Sequence, residues 1–363
     1  MGIKKIWYPT PISSHIAALI VTLIFTLTVA GCASKILKYD NAEELKRNDE
    51  FAKAVKIEIP ELPPAPSLPT PSPSLVGTTP STTTTTTLPA TKVAKIKNKK
   101  KSKIPIPEAP VRRQPELESD EDFDGRRPIK DPFRVGERVI HDITYTGLTA
   151  GQLTIEVGQW AQVNGRKSYQ LAMSLKSSSL FSKFYAVEDS VTTLMDYESL
   201  VPSVYTLAVK ESSQLREAQM YFDWNENHAN FWEKKVTEKA GREVRKLDWE
   251  IPLFSQNVFS AIFYLRVFKW EVGKTHSFRV SHDNENLVFK ATALRREKIE
   301  TAVGEFTALV IKPEIELQGF FKSIGDNFIW ISDDDRKLVL RIESKIKIGS
   351  LVTEIVEIQP GTQ

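Results

Sequence analysis

The placement of proline sets the outer limit on what this chain can fold into. Fifteen of its 21 prolines fall between Pro60 and Pro132. Proline has a fixed φ and no amide donor, so such a run enters neither helix interiors nor central strands. Through the same stretch the composition turns Thr-rich (82–87), then Lys-rich (92–103), then acidic (116–124). None of these compositions supplies the apolar surface of a core. Sustained hydrophobic periodicity is confined to residues 133–359, long enough to bury a sizeable core without disulfide or metal staples.

The first residues read as an export signal. Lys4 and Lys5 form a basic start, and an apolar run follows from Ile16 to Ala30. The run is on the short side for a membrane span, which needs about 20 apolar residues. It ends in Val29-Ala30-Gly31-Cys32. That tetrapeptide resembles the lipobox of bacterial lipoproteins, and the resemblance implies cleavage before Cys32 and acylation of its thiol. The competing reading is a plain N-terminal membrane anchor with a chance cysteine. Cys32 is the sole cysteine, which excludes an intrachain disulfide and a Cys-cluster zinc site. Several acyl chains, at about 0.8 kcal/mol per buried CH₂, make a durable anchor. Gly2 lacks a myristoylation context, since position 6 is Ile. In lipoproteins an Asp after the cysteine implies inner-membrane retention, so with Ala33 the resemblance implies the outer membrane in a cell with two membranes.

The expected organisation is a signal peptide (1–31), a lipid-anchored disordered tether (32–132) and a β domain (133–359). Within the tether, Asn41 with Glu44 reads as a capping box for a helix reaching about Val55. Residues 57–132 would reach roughly 235 Å as extended polyproline II and about 50 Å as a coil. Such a tether would let the domain work far from its lipid. The Lys run suits either a solvated spacer or contact with anionic headgroups or cell-wall polymer.

Period-two alternation dominates the domain. Val139, His141, Ile143 and Tyr145 share one face, and Leu153, Ile155 and Val157 another. Asn164-Gly165 is a two-residue hairpin turn leading into Tyr169, Leu171, Met173 and Leu175. Strand-like runs follow at 187–197, 203–210 and 215–224. Near the end Leu338, Leu340, Ile342, Ile346 and Ile348 oppose Arg341, Glu343, Lys345 and Lys347, as in antiparallel sheet with one wet face. Ser255 to Phe268 breaks the pattern: it is apolar nearly all round and reads as a buried helix. The fold class is therefore all-β with one buried helix, a large curved antiparallel sheet closed as a barrel or half-barrel.

The ordered pieces Val135-Gly136-Glu137-Arg138, Ala150-Gly151, 260–266, Gly273, Gly304-Glu305-Phe306, 329–334 and Ile348-Gly349 resemble an exported bacterial family, domain of unknown function 3108. The resemblance implies a periplasm-facing β domain, similar to half-barrel carriers of lipids and lipoproteins. It brings no catalytic residues.

The sequence offers little chemistry. Gly273-Lys274-Thr275 lacks the upstream glycine of a phosphate loop, and no Gly-x-Ser-x-Gly or His-Glu-x-x-His occurs. A net charge of +3 argues against nucleic acid, and no cofactor or metal is expected. His228, His276 and His282 read as structural. His141, on the apolar face of its strand, is a candidate ligand-binding residue, or an acid/base partner of Asp189. Arg266 is the sharper candidate, because a guanidinium in an apolar helix needs a carboxylate partner or a bound anion. Asp333, Asp334 and Asp335 suit a turn better than calcium. Phe181, Phe184, Tyr185, Phe320 and Phe321 suit packing, a cavity mouth or membrane contact. The leading reading is a non-enzymatic binding or assembly module for a lipid, lipoprotein or envelope polymer. The alternatives are an envelope-acting hydrolase or transferase, and a structural partner without ligand that pairs through a sheet edge.

Overall fold

The computed structural model describes residues 36–37, 48–60, 112–317, 320–323, 327–345 and 349–362. Helix α1 (Asp49–Ala54) and the short strands β1 (Ile57–Glu58), β2 (Phe123–Asp124) and β3 (Arg127–Pro128) come first. Eight long strands follow: β4 (Val135–Tyr145), β5 (Leu148–Val163), β6 (Arg166–Ser177), β7 (Val187–Asp196), β8 (Pro202–Glu211), β9 (Gln214–Asp223), β10 (His228–Thr237) and β11 (Gly241–Glu250). Helix α2 (Ser260–Tyr264) runs into a 3-10 turn, Leu265–Val267. The chain closes with β12 (Thr275–His282), β13 (Glu285–Thr301), β14 (Gly304–Leu317), β15 (Phe320–Ser323), β16 (Asn327–Ser332), β17 (Val339–Lys345) and β18 (Ser350–Thr362).

One antiparallel sheet holds nearly all of these, in the order β11-β10-β9-β8-β7-β6-β5-β4-β18-β17-β16-β14-β13-β12, with β1 on β5 and β15 on β14. The last strand, β18, lies beside β4 and so joins the two halves of the molecule. Bulges bend the strands, among them Val157/Trp160 in β5, Ala293/Arg295 in β13 and Ile355/Glu357 in β18. The sheet rolls around α2, and its inner faces from both halves share one core with Phe259, Ile262, Phe263 and Phe268. The two edges meet at a seam. Gln256 forms a parallel bridge to β12, its amide donating to the Arg279 carbonyl and its carbonyl accepting from Ser281, both at 2.8 Å. Asn286 Nδ2 donates to the Glu250 carbonyl at 3.0 Å across the same gap. The architecture is thus the all-β curved sheet around one buried helix that the alternation indicates. The helix is shorter than 255–268. Asn257 Oδ1 accepts the amides of Phe259 (2.9 Å) and Ser260 (2.7 Å), local bonds that compete with a helical turn at that point.

Three stretches assigned above to the tether pack on the domain. Ile36 and Leu37 lie against Leu215 and Val236 on the outer face, and the Leu37 amide donates to the Glu211 carbonyl at 3.0 Å. Further on, α1 lays Phe51 among Ala161, Val163, Leu194 and Val204, edge-on to Trp232 at 6.0 Å. Its N-cap is Asn48, whose Oδ1 accepts from the Phe51 amide at 3.1 Å; the expected capping pair Asn41 and Glu44 lies outside the described residues. With β1 paired to Val163 and Gln162, the described pieces of this strap lie on the outer face, Ile36 and Leu37 at one end of the barrel and β1 at the other. The third stretch, 112–132, plugs that second end through Arg113, Glu118 and Arg126, all buried. Chain on both sides of 61–111 therefore rests on one domain.

Close approach explains Gly151. A Cβ there would lie 2.5 Å from the Lys176 carbonyl oxygen, which is backbone of the paired strand. Gly151→Ala is expected to lower stability by about 1–3 kcal/mol as β5 and β6 are pushed apart. Urea denaturation of the variant checks this, and an unchanged midpoint would contradict it.

Candidate functional site

Inside the barrel, alternate residues of the second half face α2 and leave an apolar slot. Val258, Ala261, Ile262 and Leu265 form one wall, and Val280, Leu287, Phe289, Ile315, Ile329 and Ile342 the other. Asn327 and Ser344, a buried cross-strand pair, are the polar residues of its lining. The slot holds about 50 Å³, below the roughly 300–1,000 Å³ of formed ligand pockets. It admits the tip of an aliphatic chain, and a longer insertion requires α2 to move off the sheet. The plug closes the opposite end of the barrel. There Tyr264, at the end of α2, accepts from Arg113 Nη2 (2.8 Å) and Arg126 Nη2 (2.9 Å), and Glu118 Oε2 receives Arg126 Nη1 at 2.9 Å. Burial pushes the Tyr264 phenol up to about 12.

The first half of the barrel lines its interior differently. Asp189 and Glu211 face inward from β7 and β8. Asp189 Oδ1 accepts the Lys210 amide at 3.0 Å. Burial, and then the adjoining Glu211 carboxylate, push Asp189 up to about 8. A small cavity of about 20 Å³ separates Asp189 from Leu153, Val191, Leu207 and Phe259. Next to it Glu233 binds Arg216 and also Arg245 (3.2 Å), and Arg245 reaches Asp283 across the seam. Sequence reasoning named Asp189 only as a partner for His141, and missed Glu211, Glu233, Arg216, Arg245 and Asp283. Their partners come from different strands, and no spacing announces them.

Arg266 finds its partner within the fold. Its Nη1 lies 2.7 Å from Glu137 Oε1, Nη2 donates to Glu137 Oε2 (3.1 Å) and the Pro132 carbonyl (3.0 Å), and Nε donates to the Arg336 carbonyl (3.0 Å). Every nitrogen is used, in the internal salt bridge that a buried guanidinium requires. His141 is buried and donates from Nε2 to the Val339 carbonyl at 2.7 Å; burial depresses its pKa. It is not brought to Asp189, whose carboxyl meets Lys210 and Glu211. His276 stacks on Phe268 at 4.5 Å, and burial holds it at about 4. Burial also holds His282 at about 4. His228 of β10 pairs with Asp248 of the edge strand β11 at 3.2 Å, on the surface. Asp333 binds Arg296, Asp335 binds Lys130, and Asp334 caps a turn through the amides of Arg336 and Lys337. Among the described residues no group of three or more His, Cys, Asp or Glu is placed to hold a metal ion. Phe184 is exposed and Phe181 half-buried. Cys32 and the side chains of Phe320 and Phe321 lie outside the described residues.

No curated protein matches the sequence. Among solved structures, a β-barrel-like protein of domain of unknown function DUF1849 from Brucella abortus aligns with a TM-score of 0.40 at 10% identity, over 62% of this chain and 98% of its own. A candidate exported protein with YmcC-like fold from Bacteroides fragilis gives 0.29 at 8% identity, over 63% and 97%. A candidate lipoprotein from Parabacteroides distasonis gives 0.24 at 9% identity, over 62% and 95%. The family model described as protein of unknown function (DUF3108) matches residues 141–356, from within β4 to within β18. The chain belongs to that family.

Proposed function

We propose that this protein is a lipid-anchored module of the bacterial outer membrane, held through Cys32, whose domain faces the periplasm and takes an acyl chain of a lipid or lipoprotein between α2 and the β12–β17 half of the barrel. The observation that carries the reading is the slot itself: ten of its wall residues are aliphatic or aromatic, and Asn327 and Ser344 are the polar residues of its lining. Inserting a chain there buries apolar surface at about 25 cal/mol per Å², with nothing polar to desolvate along the walls. The edge-pairing alternative fits less well. The edge strand β11 exposes the charged Arg242, Glu243, Arg245, Lys246, Asp248 and Glu250, a pattern that disfavours strand addition. For the hydrolase alternative, the histidine–carboxylate pair found among the described residues, His228 with Asp248, is on the surface and not in a cleft.

The test is native mass spectrometry of the full chain incubated with lauric acid or with dioleoylphosphatidylglycerol. One bound molecule is expected on the wild type and none on Ala261→Phe, whose new ring fills the slot. Saturating lipid at about 100 times its Kd should also raise wild-type stability by about 2.7 kcal/mol. Unliganded mass with both probes, or adducts that survive Ala261→Phe in a folded variant, would overturn the proposal.

A further inference from the structure

The strap fixes which way the barrel faces. Ile36 is four residues from Cys32, so the chain between them spans at most about 14 Å. Ile36 and Leu37 are in turn held at the Glu211 end of β8. The lipid is thus tied to one end of the barrel, and that end is apolar in a particular way. The loop between β6 and β7 adjoins Leu37's site, with Tyr185 donating to Glu211 Oε2 at 2.5 Å and the Ser212 amide to the Ala186 carbonyl at 3.0 Å. This loop presents Leu180 and Phe184 to solvent, at 47% and 70% exposure. The Ser178 amide, donating to the Ala150 carbonyl at 2.8 Å, sets the loop beside Leu148, itself 53% exposed. Lys183 lies exposed between the two loop hydrophobics, a mixture suited to an interface of acyl chains and anionic headgroups.

The slot's polar pair is at the same end. Cross-strand pairs run in one row from Asn327 to Ser344, Leu351, Tyr145 and Leu148. The plug and the β1–Val163 pairing mark the other end, about 30 Å away along the ten-residue β8. We propose that the Leu148–Leu180–Phe184 end docks on the membrane that holds the Cys32 lipid, so that the slot opens toward that membrane's acyl layer. The proposal rests on acylation of Cys32, and it extends the carrier reading by naming the face through which a chain enters.

Acylation leaves the chain without a free thiol, so one introduced cysteine gives a unique label. The full lipidated chain is reconstituted into vesicles of phosphatidylethanolamine and phosphatidylglycerol, with bimane on Phe184→Cys, Leu148→Cys or Ile129→Cys. Ile129 is the control, exposed at the plugged end. Spin-labelled lipid is expected to quench the first two labels, with a blue shift in their emission, and to leave the third unchanged. Equal quenching at all three positions, or none at Phe184→Cys and Leu148→Cys, would overturn the docking. Intact-mass measurement of the same preparations keeps the two readings apart. A mass without diacylglycerol sinks the anchor and the docking with it, whereas a lipidated chain with unquenched labels sinks the docking alone.

Discussion

Replacing Glu118 with alanine is expected to destabilise the domain by about 3–5 kcal/mol, because it strands two buried guanidiniums. Arg113 and Arg126 both reach Glu118 Oε2, at 3.2 and 2.9 Å, and all three side chains are at most 2% exposed. The surroundings offer the cations little else that is charged. Arg113 lies 3.6 Å over the Phe123 ring and Arg126 4.0 Å over Phe254. These contacts and the Tyr264 hydroxyl do not neutralise two charges once the carboxylate is gone. Glu118→Gln keeps an acceptor and removes the charge, so its cost should fall between wild type and Glu118→Ala. The damage should be concentrated in the plug, so limited proteolysis at 112–132 should accelerate before the sheet unfolds. Urea denaturation measures the stability change. A loss under about 1 kcal/mol would mean that the network contributes no more than a surface ion pair.

This network also shows where sequence reading stops. Arg113, Glu118 and Arg126 stand in a charged, Pro-flanked run whose composition is that of a solvated linker. Their shared partner Tyr264 is 138–151 residues further on. The strap is hidden for a similar reason: Phe51 is one aromatic residue in a short helix, and only Trp232 and the outer-face residues of β5, β7 and β8 make it a packing residue. What was legible is the regular part. Alternation in 133–359 gives the strands because the inner face of each must be apolar, and the Asn164-Gly165 turn is seen as read, closing β5 on β6. The long apolar segment announces a buried helix, though Asn257's capping bonds shorten it. Arg266 was visible as an anomaly, and its partner Glu137 was not, since the two are 129 residues apart. The slot could not be read at all. It is a gap between facing elements, and a period-two pattern gives the same letters whether the faces touch or stand apart.

The second large effect concerns Asp189, and it depends on pH. In the folded chain burial and the Glu211 carboxylate hold its pKa near 8, against an ordinary value of 3.8. Between those two values the folded state keeps a proton that the unfolded chain releases. Stability must therefore fall as pH rises from about 4 to about 8, since it declines wherever the native state binds the more protons. At about 1.4 kcal/mol per unit, the loss is on the order of a few kcal/mol. Asp189→Asn mimics the protonated acid: its carbonyl oxygen still accepts the Lys210 amide, and its NH₂ replaces the shared proton facing Glu211. The variant should match wild type below pH 4 and exceed it in stability by a few kcal/mol above pH 8. Urea midpoints of the two proteins across that range give the difference directly, and other titrating groups cancel in it. A constant difference would show that Asp189 is ionised in the fold. A variant weaker than wild type at high pH would show that the carboxylate is paired with a cation, and the inward-facing acid pair would then have to be redrawn around Arg216.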